Sequence, residues 1–309
     1  GSDTTSEPPI VGSRKCAHRL PSLGQHKTGL GKLSVFKGLS PAELAPLPPS
    51  TAEPRTGLSM GQHCELMAKE WGITREEQDQ LAVESHAKAA EAYRSGWMDR
   101  LVSPFAGVYR DNILREDTSM ERLATLKPSF DKSGTGTLTA GNSTAMTDGA
   151  ASVLLASEDW ARERGLPVKA YLTLGETAAN NFVAGEGLLM APTIAVSKLL
   201  RRAGLALQDF DFYEIHEAFA AQVLATLKAW EDPRYCRETL GRDAPLGSID
   251  RARMNVKGSS LALGHPFAAT GARITANLAE LLAEHGGRGL ISICTAGGMG
   301  VAAIMESAR

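Results

Sequence analysis

The chain has 309 residues, of which 43% are hydrophobic, 22% charged and 6% aromatic, enough for one large domain or two ordinary ones with an apolar core. Its formal charge of −2 argues against a nucleic-acid-binding protein, although it can hide local asymmetry. Four widely spaced cysteines without a CxxC argue against a disulfide framework or a zinc site, and no apolar run approaches the roughly 18 residues needed to span a bilayer.

The first residues, GSDTTSEPP, have no signal-peptide character and no initiating Met. Residues 8–57 are rich in Pro, Gly and Ser and show little periodicity. No acidic residue lies between Pro8 and Ala42, whereas Arg14, Lys15, Arg19, Lys27, Lys32 and Lys37 do. This local cationic field reads either as a solvated loop or as a surface for phosphates or anionic lipid heads.

TREEQDQLAVESHAKAAEAYRSGWM then predicts a helix, with Thr74 as N-cap and Glu77 completing a capping box. His86 on it reads as structural. From Thr137, TLTAGNSTAMTDGAASVLLASEDWARERG predicts a strand, a polar turn, an apolar strand and a short helix. The strand KAYLTLGETA and the helix TIAVSKLLRRAGL, closed by Gly204, come next. The strand DFDFYEIHEAF runs into the helix AFAAQVLATLKAW. ATGARITANLAELLAEH is a helix stopped by Gly286 and Gly287. GLISICT and VAAIMES close the chain as a hairpin. Strands alternating with helices predict an α/β layer fold, and the hairpin makes its sheet mixed.

Three stretches stand out at strand ends or loop–helix junctions, where ligand sites of α/β folds gather. They are YEIHEAFAAQ with His216 and Glu217, LALGHPFAATGARI with His265, and ICTAGGMG with Cys294. Each alone has a plain structural reading, as a cap, a turn or a packed thiol. Together they fit a Cys/His acyl-transfer site, in which an imidazole handles the thiol proton and backbone N–H groups of the glycine turn face an oxyanion. No metal is expected, since no ligand pair has helical spacing and no carboxylate cluster accompanies them. A nucleotide fingerprint is absent, because AGGMG is followed by a strand and not by a helix.

LSMGQHCELMAKEWGITREEQD, LTAGNSTAMTDGAA, HEAFAAQ, NVKGSSLALGHPFAATGAR and CTAGGMG, in that order, resemble the thiolase family, and the resemblance covers essentially the whole chain. Most thiolases carry Asn at the position of His216; the His form resembles the β subunits of fatty-acid oxidation trifunctional complexes. The resemblance implies two similar α/β halves with mixed sheets plus an inserted loop domain. Residues 1–135 would be the loop domain and a remnant of the first half, 136–165 the end of that half, and 166–309 the second half.

It implies thiolysis of 3-ketoacyl-CoA by coenzyme A, with CoA as co-substrate and no permanently bound cofactor. His265 would activate the nucleophilic cysteine, His216 would hold a water in one oxyanion hole, and Cys294 would be the general acid/base. The backbone near Ala296 and Gly297 would serve a second oxyanion hole. Asn142 is carried as a structural support. Arg14, Lys15 and Arg19 would meet CoA phosphate or lipid heads. Implied partners are a second copy of the chain, a hydratase/dehydrogenase α subunit and a membrane surface, in a cytoplasmic or mitochondrial setting.

One departure matters. The family's nucleophilic cysteine lies upstream in a Cys-x-Ser-type motif, and none of Cys16, Cys64 or Cys236 sits in such a motif. The expectation is an N-terminal segment carrying that thiol, without which ASVLLASE would present an unpaired edge. The competing expectation is a catalytically incomplete thiolase-like module that binds acyl-CoA or scaffolds a complex.

Overall fold

The structure, a computed structural model, describes every residue except Ile10, Pro48 and Arg309. It divides into two compact units, Thr4–Thr51 and the remainder. The smaller unit holds three short helices, α1 (Arg14–Arg19), α2 (Gly29–Ser34) and α3 (Pro41–Leu44). Each is N-capped by a hydroxyl, from Ser13, Thr28 and Ser40 respectively, which satisfies otherwise orphaned N–H groups. Among its described residues Cys16 and Val35 are buried and apolar.

In the larger unit, strand β1 (Ser2–Asp3) pairs with β2 (Gly149–Ala150). The helices before β2 are α4 (Met60–Glu70), α5 (Arg75–Arg94) and α6 (Met120–Ala124). Helix α5 starts where the sequence predicts: Thr74 Oγ1 accepts from Glu77 N–H and the Glu77 carboxylate accepts from Thr74 N–H. After β2 come α7 (Glu158–Glu163), β3 (Ala170–Ala179), α8 (Ala191–Ala203), β4 (Phe212–Ile215), α9 (Ala220–Glu231), α10 (Pro233–Glu238), α11 (Ser260–Leu263), α12 (Phe267–His285), β5 (Arg288–Thr295) and β6 (Met299–Ser307). Helices α8 and α12 end at Gly204 and Gly286, as expected.

The main sheet has the order β3-β6-β5-β4. β4 and β5 run parallel, and the other pairs are antiparallel. Alternation along the strands sorts side chains to two faces. Leu290, Cys294, Ala302 and Ile304 join Val196 and Leu199 of α8 and the largely buried α9 on one face. Ile291 and Met305 meet Ile274, Leu278 and Leu282 of α12 on the other. Cys294 therefore lies on the α8/α9 face, at the end of the strand that turns back through Gly297 and Gly298, both at positive φ. Its ladder partner Gly300 sits against the start of α8, where an added Cβ would come within 2.4 Å of the Pro192 nitrogen.

The structure corrects two predicted strands. Residues 137–139 form no ladder: the Glu65 carboxylate accepts the N–H groups of Thr137 and Leu138 at 2.6 and 3.0 Å, taking the place of a neighbouring strand. Residues 151–156 are irregular, and only β2 pairs, with β1. Leu154 is 74% exposed and Leu155 65% exposed. An apolar run needs a partner edge to become a strand, and no described residue supplies one beside Leu154 and Leu155.

Candidate active site

Two loops meet in front of the sheet, and residues 143–146 stitch them together. Thr144 N–H donates to Ala218 O at 3.1 Å and its hydroxyl donates to Ser260 O at 2.6 Å. His265 N–H donates to Ala145 O at 3.0 Å. One loop follows β4 and carries His216; the other joins α11 to α12 and carries His265. Their imidazole centroids are 4.3 Å apart.

Buried polar groups hold this arrangement. Glu217, 1% exposed, accepts from the Ser85 hydroxyl at 2.7 Å, from Asn255 Nδ2 at 2.7 Å and from Leu261 N–H at 3.2 Å. It thereby ties α5, α11 and the loop after β4 together. The Asn255 amide also bonds both backbone groups of Ile215, the residue before His216. Asn142 is fully buried, donating to Asp79 at 2.8 Å and accepting from Thr139 N–H at 2.7 Å, which is the supporting role expected of it.

The two imidazoles differ in their surroundings. His265 Nδ1 lies 2.6 Å from Thr270 Oγ1, whose own proton goes to Pro266 O at 3.2 Å. Thr270 Oγ1 therefore accepts, Nδ1 carries the hydrogen, and Nε2 keeps a free lone pair. Burial, then the Arg273 charge, pulls the His265 pKa down to about 4, so the ring is a neutral base near pH 7. His216 is 1% exposed; its Nδ1 lies 2.8 Å from Ser260 Oγ, and its Nε2 is buried without a partner. Burial first, then His265 and Arg273, hold its pKa well below the ordinary value.

Cys294 is 5% exposed, and burial pushes its thiol up to about 12. Among the described residues no hydrogen bond joins it to either imidazole. Cys64 is its neighbour on α4, fully buried, with a thiol raised first by burial and then by Cys294. Ala296 is exposed and Gly297 half-buried in the turn beyond Cys294. Arg14, Lys15 and Arg19 fall on α1 in the smaller unit: Lys15 pairs with Glu43 at 2.6 Å, Arg19 donates to the carbonyls of Val35 and Lys37, and Arg14 is exposed. His86 is structural as expected, its Nδ1 accepting Arg115 N–H at 3.1 Å.

Residue patterns do not reveal Ser260, Thr270, Arg273 or Glu214. Arg273 is half-buried, sends Nη2–H to Ser260 Oγ at 2.7 Å, and has no partner among the described residues for its buried Nε and Nη1. Neither oxygen of buried Glu214 has a partner among the described residues, and burial pushes its pKa from 4.5 up to about 8. Between those values the folded chain keeps a proton that the unfolded chain has released. The stabilisation is full below about pH 4.5 and is lost as pH rises toward 8. Glu214→Gln carries no such term, so the variant should gain stability relative to wild type between pH 5 and 8. Parallel denaturant midpoints across that range would refute the titration.

Residues 168–307 match the family model described as Thiolase, C-terminal domain, and residues 46–159 the one described as Thiolase, N-terminal domain. A 3-ketoacyl-CoA thiolase of Alteromonas mediterranea is 46% identical over 317 residues, covering 99% of this chain and 71% of that protein. One of Pectobacterium atrosepticum is 45% identical over 313 residues, with the same coverage. The crystal structure of human mitochondrial 3-ketoacyl-CoA thiolase in complex with CoA is similar at a TM-score of 0.72 and 32% identity, over 83% of this chain and 61% of that one. The chain thus spans about three fifths of the length of that structure.

Proposed function

Since the chain belongs to the thiolase family, we propose that it performs thiolysis, in which CoA cleaves a 3-ketoacyl-CoA into acetyl-CoA and an acyl-CoA shortened by one acetyl unit. One observation carries the assignment to these residues. Two imidazoles with lowered pKa face each other at 4.3 Å, and the Nε2 of His216 is buried without a partner among the described residues. No structural role accounts for that last atom, since a buried polar group without a partner costs stability.

In this reading a cysteine thiolate, formed as His265 takes its proton, attacks the keto carbon. The bond to the neighbouring CH₂ breaks, and its electron pair leaves on acetyl-CoA as the enolate. His216 and a water held by it meet the enolate oxygen, while backbone N–H groups near Ala296 and Gly297 meet the alkoxide on the keto carbon. Cys294 gives its proton to the enolate carbon, for which a thiol raised to about 12 is suited because it is fully protonated at rest. The resulting Cys294 thiolate takes the proton of incoming CoA, whose sulfur attacks the acyl thioester and frees the first cysteine.

That first cysteine is none of the other three here. Cys64 and Cys236 are fully buried, and Cys16 is buried in the smaller unit. We assign the acyl-carrying thiol to a segment outside these 309 residues. The proposal also takes a second copy of the chain and a hydratase/dehydrogenase subunit as partners, in a cytoplasmic or mitochondrial setting that suits four free thiols. No helix among the described residues is long and apolar enough to cross a membrane.

Arg14, Lys15 and Arg19 are assigned to anionic groups of CoA. Neutralising all three should raise the Kd for CoA, and an unchanged Kd would remove the assignment. The whole reading is tested by supplying the complete natural protein with CoA and a 3-ketoacyl-CoA and measuring acetyl-CoA. Stoichiometric binding of acyl-CoA without turnover would favour a scaffold instead.

A further inference from the structure

We propose that Arg273 and Ser260 are positioning residues that fix His216 as its Nε2–H tautomer, so that the imidazole presents a donor and not a lone pair to the reacting carbonyl. The inference rests on the thiolysis reading for its kinetic consequence, but its structural content stands apart from it.

The argument is a matching of donors to acceptors around one oxygen. Among the described residues Ser260 Oγ has two polar neighbours, Arg273 Nη2 at 2.7 Å and His216 Nδ1 at 2.8 Å. A guanidinium only donates, so Oγ accepts from Arg273. If His216 Nδ1 also donated, the Ser260 hydroxyl proton would point at no acceptor in a place where Ser260 is fully buried. The large majority of buried side-chain polar groups are paired. If Ser260 donates to Nδ1 instead, both contacts are satisfied in one direction, from Arg273 through Ser260 to His216. The guanidinium also polarises the hydroxyl and makes it the stronger donor. The hydrogen of the neutral ring must then sit on Nε2, the atom left without a partner.

His265 is set the opposite way by the same kind of residue. Thr270 spends its proton on Pro266 O and so accepts from Nδ1, leaving Nε2 as a base. Two hydroxyls of opposite sense thus divide two adjacent imidazoles into a base and a donor.

Two readouts test this on the complete natural protein. Neutron diffraction after deuterium exchange should place deuterium on His216 Nε2, none on Nδ1, and the Ser260 deuterium toward Nδ1. Deuterium on His216 Nδ1 would overturn the proposal whatever the enzyme's activity. In kinetics, Ser260→Ala should lower kcat by about 10- to 100-fold with little change in KM, less than the 10²–10³ typical of deleting an oxyanion-hole donor, because the right tautomer stays partly populated. Ser260→Thr, which keeps the hydroxyl, should recover most of it. His216→Asn offers an amide N–H that has no tautomer, so in that background Ser260→Ala should cost no more than about twofold, the usual error of additivity. An equal loss in both backgrounds would mean that Ser260 acts by packing, and would overturn the proposal. Deuterium on Nε2 in a protein that performs no thiolysis would refute the function and leave this assignment standing.

Discussion

Cys294→Ala is expected to abolish carbon–carbon cleavage, lowering kcat for thiolysis by at least about 10²–10⁴-fold, while acyl exchange between CoA thioesters survives in part. The loss is that of a positioned proton donor, whose usual worth is of that size. The survival follows from the division of labour, because loading an acyl group onto the other cysteine asks for no proton at carbon. The thiol is well placed for this task. It sits 5% exposed at the end of β5, and burial raises it to about 12, so it is protonated when the enolate forms. The change deletes one buried sulfur, so the fold should persist. The two half-reactions, assayed separately, check this; full thiolysis by the variant would reject the role.

His265→Ala is expected to cost about 10²–10⁴-fold in kcat/KM in both half-reactions alike, since each begins by activating the acyl-carrying thiol. The parallel loss separates it from Cys294, whose removal affects them unequally. Thr270 orients the ring through a 2.6 Å hydrogen bond, and burial holds it neutral, with a pKa pulled down to about 4. If thiolysis alone fell, the base would have to be another group.

Much of the framework was readable because it depends on neighbours in sequence. The capping box of Thr74 and Glu77, the stops at Gly204 and Gly286, and the hairpin after Cys294 are all local devices. His216, His265 and Cys294 stood out because each lies in a turn dense in small residues. What stayed hidden depends on distant partners. Residues 137–139 looked like a strand, yet the acceptors of Thr137 and Leu138 N–H are side-chain oxygens of Glu65 on α4. Ser260 and Thr270 read as small residues, and only their contacts with His216 and His265 show what their hydroxyls do. The charges of Glu214 and Arg273 gave no sign that Glu214 is buried or that the Arg273 guanidinium reaches Ser260.

The central claim is that Cys294 moves a proton and never carries the acyl group. The complete natural protein would be mixed with a short acyl-CoA in the absence of free CoA, quenched in acid and digested, and the acylated peptide identified by mass. The account predicts acyl on a cysteine outside these 309 residues and an unmodified Cys294 peptide. Acyl on Cys294 would contradict it.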